Sequence, residues 1–417
     1  MVRDRKTFLF FPVEIGLAHI VRPLAVAEAL GRRGHRVIFA LSKRKQKLFQ
    51  SSQVEMIDIK SYMDNDVTIR IKLFSTYQFH EELVKQELKM IKQYKPDAII
   101  VDFRISALAA GLITNTPTYF LSLGESLPEG ARLPNPGLPK LIYRLLEPLI
   151  GPIYQLALTT YLKPLMTIVK EHKINISWRD WFRKVTFILP EPSFYFPPNA
   201  KDLKLHYVGP LSWDGFKSET PLWLKKINRD GKTIYLTFGG TGFDHDKLID
   251  LSINLVKLGY RVVVSGGMIA EPEDFPKMKN LFVAKFLPGK LITKKVDLMV
   301  CHGGYGTMIE AIQNQTPVLV VPFNPDQIIH GARMEELGVG HCLFKITLKD
   351  LGEIFTFNWK HIEDKGKKLE TASIVESVRD MLTHQAEYRK ALVRFNELYS
   401  DSDGADGAAD IIEAPFR

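Results

Sequence analysis

The sequence predicts an α/β protein with two domains, each built on a parallel sheet. Three observations carry this. Strand-like apolar runs alternate with amphipathic, helix-length segments throughout the chain. The clearest runs are apolar from end to end, as in strands covered on both faces. The length, 417 residues, exceeds what one ordinary core accommodates.

In order, residues 8–13 are expected as the first strand and 22–33 as a helix closed by Gly34. Strands follow at 37–41, 98–102 and 118–122, with a helix at 106–113. Between Pro134 and Pro164 lies a proline-punctuated apolar segment carrying Tyr143, Leu145, Leu146, Leu149, Ile150, Tyr154 and Leu156. Its helical spacing reads first as core packing. An apolar acceptor pocket and a membrane contact are the alternatives, while Arg144, Glu147 and Lys163 forbid a spanning helix. Residues 208–223 are turn-rich and read as a linker. A second α/β pattern then places strands at 233–238, 261–265, 281–286, 296–300 and 318–321. An amphipathic helix at 384–399 precedes a short helical tail. The expected division is an N-terminal domain at 1–212, a second domain at 213–395 and a tail at 396–417.

Composition narrows the function. A hydrophobic share of 45% with 25% charged residues is that of a soluble globular protein. The net charge of +9 suits an anionic ligand or membrane surface. It comes without the aromatic-interleaved basic stripe of nucleic-acid binders, so no nucleic-acid partner is expected. Two cysteines, Cys301 and Cys342, form neither a disulfide framework nor a metal pattern, and reduced thiols in the cytoplasm fit them. The apolar start is stopped by Pro12 and Glu14, favouring a strand over a signal peptide. No segment reaches the ~18 apolar residues of a membrane span.

The densest chemistry lies at 301–327. A buried strand runs into His302, Gly303, Gly304, Gly306 and Thr307, and a helix opens there. A second strand ends near Asp326 and Gln327. Glycines admit close backbone approach, and a helix N-terminus attracts anions. Ligands of open α/β sheets sit beyond the carboxyl ends of the strands. The stretch therefore reads as a phosphate cradle followed by a sugar-hydroxyl clamp. Thr307 could equally be a helix cap, and Glu310 its capping-box partner rather than a ribose ligand. Turn chemistry alone would account for Asp326. Gly239, Gly240, Thr241 and Gly242 form a second glycine-rich turn, and Ser265, Gly266 and Gly267 a third. In the first half, His19 sits at the first strand–helix junction as a candidate general base, with Asp102 at another strand end as its orienting carboxylate. Asp244 with Asp246, and Asp401 with Asp403, match an Asp-x-Asp metal pattern but read as surface residues. No metal and no cofactor are expected.

The stretch Phe286-Leu-Pro288, His302-Gly-Gly-x-Gly-Thr-x-x-Glu310, Thr316-Pro317, Pro322, Asp326-Gln327 and Glu336-Leu-Gly-Val-Gly340 resembles the donor-binding half of family 1 glycosyltransferases. These are GT-B enzymes related to macrolide and plant natural-product glucosyltransferases. Gly16, His19 and Pro23, then Leu30 to Val37, Pro96 to Asp102, Val208-Gly209-Pro210 and the tail 404–413 fall in family order. The resemblance implies two facing Rossmann-like domains with parallel sheets, and a C-terminal helix returning to the first. It also implies metal-independent, inverting transfer of a hexose from a nucleoside diphosphate sugar, with UDP-glucose or a related UDP-hexose favoured, to a small-molecule or lipid hydroxyl. His19 would be the base and Asp102 its partner. Gly240 and Thr241 would belong to the donor site, and Phe286 would stack on the nucleobase. His302, Gly304, Gly306 and Thr307 would hold the diphosphate, Glu310 the ribose, and Asp326 with Gln327 the sugar. Three departures stand out: Leu17, Ala18 and Arg22 surround His19, Gly289 replaces a common Gln, and Gly306 replaces a polar residue of plant relatives. The alternatives are a membrane-associated glycolipid transferase, a sugar-nucleotide 2-epimerase and a catalytically silent auxiliary protein.

Overall fold

The computed structural model describes residues 4–49, 51–60, 76–199, 202–213, 221–227, 231–239, 242–355, 359–399 and 404–417. Two compact units divide the chain. The first comprises Met1–Arg132, Leu146–Phe216 and Asp401–Arg417, and the second Leu133–Leu145 and Lys217–Ser400.

The first unit is a parallel sheet in the order β3-β2-β1-β4-β5-β6-β7. Its strands are β1 (Thr7–Pro12), β2 (Arg36–Ala40), β3 (Glu55–Ile57), β4 (Ala98–Asp102), β5 (Thr118–Leu121), β6 (Thr186–Leu189) and β7 (Lys204–Tyr207). The period of two along β1 sends Phe8 and Phe10 into one core and Leu9 and Phe11 into the other, all fully buried. Each such side chain contributes roughly 1.5–3 kcal/mol of burial free energy. Order reverses between β1 and β4, which pair directly from Phe8 with Ala98 to Pro12 with Asp102. That is the switch point at which an open sheet offers its crevice.

Helix α1 (Ala18–Arg32) begins four residues earlier than the sequence suggests, so Pro23 lies inside it. The missing proline N–H leaves the His19 carbonyl without its usual i+4 donor. Helix α2 (Tyr77–Tyr94) covers the other face. Helix α3 (Lys140–Glu171) is unbroken through Pro148, Pro152 and Pro164. Its last turns bury Leu162, Leu165, Ile168 and Val169. The core reading fails for Leu145, Leu149 and Leu156, which are exposed.

The second unit repeats the plan in the order β10-β9-β8-β11-β12-β13, again all parallel. These strands are β8 (Thr233–Thr237), β9 (Arg261–Ser265), β10 (Leu281–Ala284), β11 (Leu298–Cys301), β12 (Val318–Val320) and β13 (Gly340–Cys342). Its switch point lies between β8 and β11. Helices α4 (Tyr305–Gln313) and α5 (Pro325–Glu336) follow β11 and β12.

Helix α6 (Gly404–Glu413) packs on α1 of the first unit. Arg33 reaches Asp406, Asp410 and Glu413, and His35 Nε2 lies 3.0 Å from Glu413. Although burial opposes it, hydrogen bonds from Arg417 and His35 and the charge of Arg33 hold the Glu413 carboxyl below its ordinary range. Among the described residues no helix is long and apolar enough to cross a membrane.

Candidate functional site

In the first unit, β4 delivers Asp102 to the carboxyl end of the sheet with no solvent exposure, and the first turn of α1 brings His19 beside it. His19 Nδ1 and Asp102 Oδ1 are 2.7 Å apart. Arg22, one helical turn beyond His19, donates to the same carboxylate from Nε at 3.2 Å and from NH2 at 2.9 Å. A buried carboxylate requires such donors. The same NH2 lies 3.1 Å from His19 Nδ1. Nδ1 cannot both donate to Asp102 and accept from Arg22, so the tautomer decides which bond forms. The Nδ1–H tautomer leaves the Nε2 lone pair for chemistry.

Two further residues support this cluster without a signal in the sequence. Phe103 follows Asp102 at φ +54°, a left-handed conformation uncommon for an aromatic residue. It puts its ring 5.5 Å from that of His19. The next residue, Arg104, donates to Glu87 of α2 at 2.6 Å, and Ser106 Oγ donates to the same oxygen at 2.8 Å. Burial pushes the Glu87 carboxyl up against the pull of Arg104. With the helix expected from residue 22, His19 fell outside it; only the observed start at Ala18 puts His19 and Arg22, i and i+3, on one helix face. Phe103 and Glu87 had no readable signal.

The second unit gathers its glycine turns at the carboxyl ends of β8, β9 and β11. Gly239 has φ +64°, and a Cβ there would stand 3.3 Å from the His302 ring. A Cβ on Gly267 would strike the Gly239 carbonyl at 2.4 Å. Gly240 and Thr241 lie outside the described residues. Burial pushes the His302 imidazole down to about 4, against the pull of the Thr237 backbone carbonyl. Nδ1 of His302 is buried with no well-formed hydrogen bond. The ring is therefore neutral near pH 7.

The cap of α4 is Gly304, with no side-chain hydrogen bond. Thr307 is thus the third helical residue, and the cap reading for it does not hold. Leading N–H groups that no side chain caps suit an anion. A Cβ on Gly304 would lie 2.7 Å from His302 Nε2, so the imidazole sits over this helix start. Gly306 is exposed. Glu310 Oε2 lies 1.9 Å from where a Cβ on Gly289 would be, so the carboxylate occupies the space a side chain at 289 would need. Phe286, past the end of β10, is 39% exposed. Gln327 is buried, and its Oε1 accepts from Phe323 N at 2.8 Å and Asn324 N at 3.2 Å. It closes a capping box with Asn324 and keeps only its amide N–H groups for a ligand. Asp326 is exposed beside it.

Asp244 caps its own helix by accepting from Lys247 N at 3.0 Å, while Asp246 holds His245. Asp401 and Asp403 lie outside the described residues. Among the described residues no group of three or more His, Cys, Asp or Glu side chains could hold a metal ion. Cys301 and Cys342 are buried and unpaired.

Residues 254–387 match the glycosyltransferase family 28 C-terminal domain, which takes in β9 to β13 and the His302 helix start. A PGL/p-HBAD biosynthesis glycosyltransferase of Mycobacterium tuberculosis is 25% identical over 95% of this chain and 90% of its own. A PGL/p-HBAD biosynthesis rhamnosyltransferase of Mycobacterium bovis is 26% identical over 83% of this chain and 78% of its own. Among solved structures, the calicheamicin glycosyltransferase CalG4 superposes with a TM-score of 0.71 at 19% identity. That match covers 99% of this chain and 98% of CalG4, and it shows the fold.

Proposed function

We propose that this chain, a glycosyltransferase of GT-B fold whose second unit carries the family 28 C-terminal domain, transfers a hexose from a nucleoside diphosphate sugar to a hydroxyl with inversion. The observation that carries the mechanism is the 2.7 Å contact of His19 Nδ1 with the fully buried Asp102. The Nδ1–H donates to the carboxylate, which fixes the tautomer and supports the charge the ring acquires. Nε2 takes the acceptor O–H proton. The resulting oxygen attacks the anomeric carbon from the face opposite the leaving group, and the bond from that carbon to the diphosphate oxygen breaks.

The departing diphosphate gains negative charge. The uncapped start of α4 and the neutral His302 supply dipole and N–H donors for it. No metal takes part in this scheme. Phe286 stacks on the base, for which uracil is the favoured identity, and Glu310 accepts from ribose hydroxyls. Asp326 and the Gln327 amide read the sugar. The mycobacterial relatives, named as a glycosyltransferase and a rhamnosyltransferase of PGL/p-HBAD biosynthesis, support sugar transfer as the reaction.

A UDP-sugar panel screened by thermal shift, followed by mass spectrometry of acceptor mixtures, tests the donor and acceptor. His19→Ala abolishes transfer while the UDP-induced shift persists. Unchanged turnover in that variant refutes the base assignment.

A further inference from the structure

Arg22 departs from the family pattern around His19, and the transfer chemistry above gives it no part. Its side chain is 8% exposed and that of Asp102 is fully buried, while His19 keeps a 24% exposed edge. The guanidinium forks onto both carboxylate oxygens, NH2 at 2.9 Å from Oδ1 and Nε at 3.2 Å from Oδ2. The same NH2 is 3.1 Å from His19 Nδ1, which lies 2.7 Å from Oδ1. An imidazole nitrogen and a guanidinium nitrogen therefore share one carboxylate oxygen and touch each other.

A buried carboxylate needs a cation beside it. An arginine is always charged, whereas a histidine is charged only when it takes a proton. With Arg22 present, Asp102 is already compensated, and a proton added to the ring puts a second cation 3.1 Å from the first. Without the Arg22 charge, compensation falls to the ring itself. Neighbouring elements bring charges that have partners of their own. Glu191, past the end of β6, feels Arg22, yet burial and then the charge of Glu125 push its carboxyl well up, toward the neutral form, against a bond from Gly124 N and the pull of Arg22. Glu14, past β1, accepts from Ser42 N and Oγ, and Arg104, past β4, meets Glu87. Asp406, Asp410 and Glu413 of α6 meet Arg33 at the far end of α1, and Glu413 also meets His35.

We infer that Arg22 is a positioning residue that carries the positive charge Asp102 requires, so that the His19 ring stays unprotonated and free to act as the base near neutral pH. The inference rests on the base reading of His19 and adds what keeps that base available.

The test follows the His19 ring by NMR in full-length protein carrying isotope-labelled histidine, its signal identified by its loss in His19→Gln. Wild type shows a neutral ring at neutral pH. Arg22→Gln keeps a donor for Asp102 but no charge. Its His19 ring is protonated at neutral pH, with the midpoint of the signal at least about one pH unit above that of wild type. Arg22→Lys keeps the charge and restores the neutral ring. With UDP-glucose as the probe, the acidic limb of UDP release in Arg22→Gln moves up with the NMR midpoint, and activity returns at alkaline pH. A mere structural brace loses activity equally at every pH, and that result overturns the proposal. So does a ring equally neutral in wild type and Arg22→Gln. A ring already protonated in wild type at neutral pH overturns it even if Arg22→Gln fails to fold. Unchanged turnover in His19→Ala would refute the base reading while leaving the NMR result standing.

Discussion

Asp102→Asn separates the two roles of the buried carboxylate. The substitution keeps the shape of a side chain with no solvent exposure but removes the charge shared by His19 and Arg22. Asparagine can set its oxygen at the Oδ1 position, shared by His19 and Arg22 NH2, or at the Oδ2 position beside Arg22 Nε, and its NH2 then takes the other. If NH2 faces His19, it donates to Nδ1 and the ring carries its proton on Nε2, where no base remains. If NH2 takes the place of Oδ2, it opposes the Arg22 Nε–H across the 3.2 Å now spanned by a hydrogen bond, while the oxygen keeps His19 and Arg22 NH2. Arg22 is itself buried, and stranding one partner of a buried ion pair costs about 3–5 kcal/mol. Losing an oriented general base lowers turnover on the order of 10²- to 10⁴-fold. Urea unfolding measures the first quantity, and nucleotide-release kinetics at saturating donor measure the second. Adding Arg22→Met removes the stranded charge, so Asp102→Asn/Arg22→Met recovers stability relative to the single variant but not turnover. Wild-type turnover in Asp102→Asn refutes the orienting role, and equal stability of the single and double variants refutes the ion-pair account.

Other outcomes follow from the second unit and the proposed chemistry. Gly304→Ala sets a Cβ 2.7 Å from His302 Nε2 and displaces the ring, weakening UDP binding by calorimetry while secondary structure is retained. His302 titrates at about 4 in the folded chain against an ordinary 6.5. Below pH 6.5 the unfolded chain therefore takes up a proton that the folded chain refuses. Stability is complete above 6.5 and falls toward pH 4, by up to about 1.4 kcal/mol per unit. Urea midpoints across that window show the slope, and His302→Gln flattens it. Chelation with EDTA leaves turnover unchanged, because the helix start and His302 carry the leaving-group charge; a metal-restorable loss would contradict the scheme.

The strands nearest the site were legible because they are buried on both faces. The expected 98–102 and 261–265 match β4 and β9 residue for residue, and their apolar runs admit no other reading. The short edge strands β3 and β7 escaped notice, since three or four half-exposed residues carry little pattern, and β13, largely buried, is only three residues long and opens on Gly340. The start of α1 was misplaced because Pro23 reads as a first-turn residue, whereas packing of Ile20 and Leu24 into the core extends the helix through it.

Residue types and spacing by themselves determined the two parallel sheets, the glycine turns at strand ends and the histidines beside them. Those features are local: each depends on a few consecutive residues and on the period of a strand or helix. Tertiary structure alone decided that Arg22 shares the carboxylate of Asp102, 80 positions away. It also decided that Glu87 braces the turn bearing Phe103, that Gln327 spends its oxygen on its own helix, and that the leucines of α3 face water. Burial and long-range partners set these outcomes, and neither is written in the order of neighbouring residues.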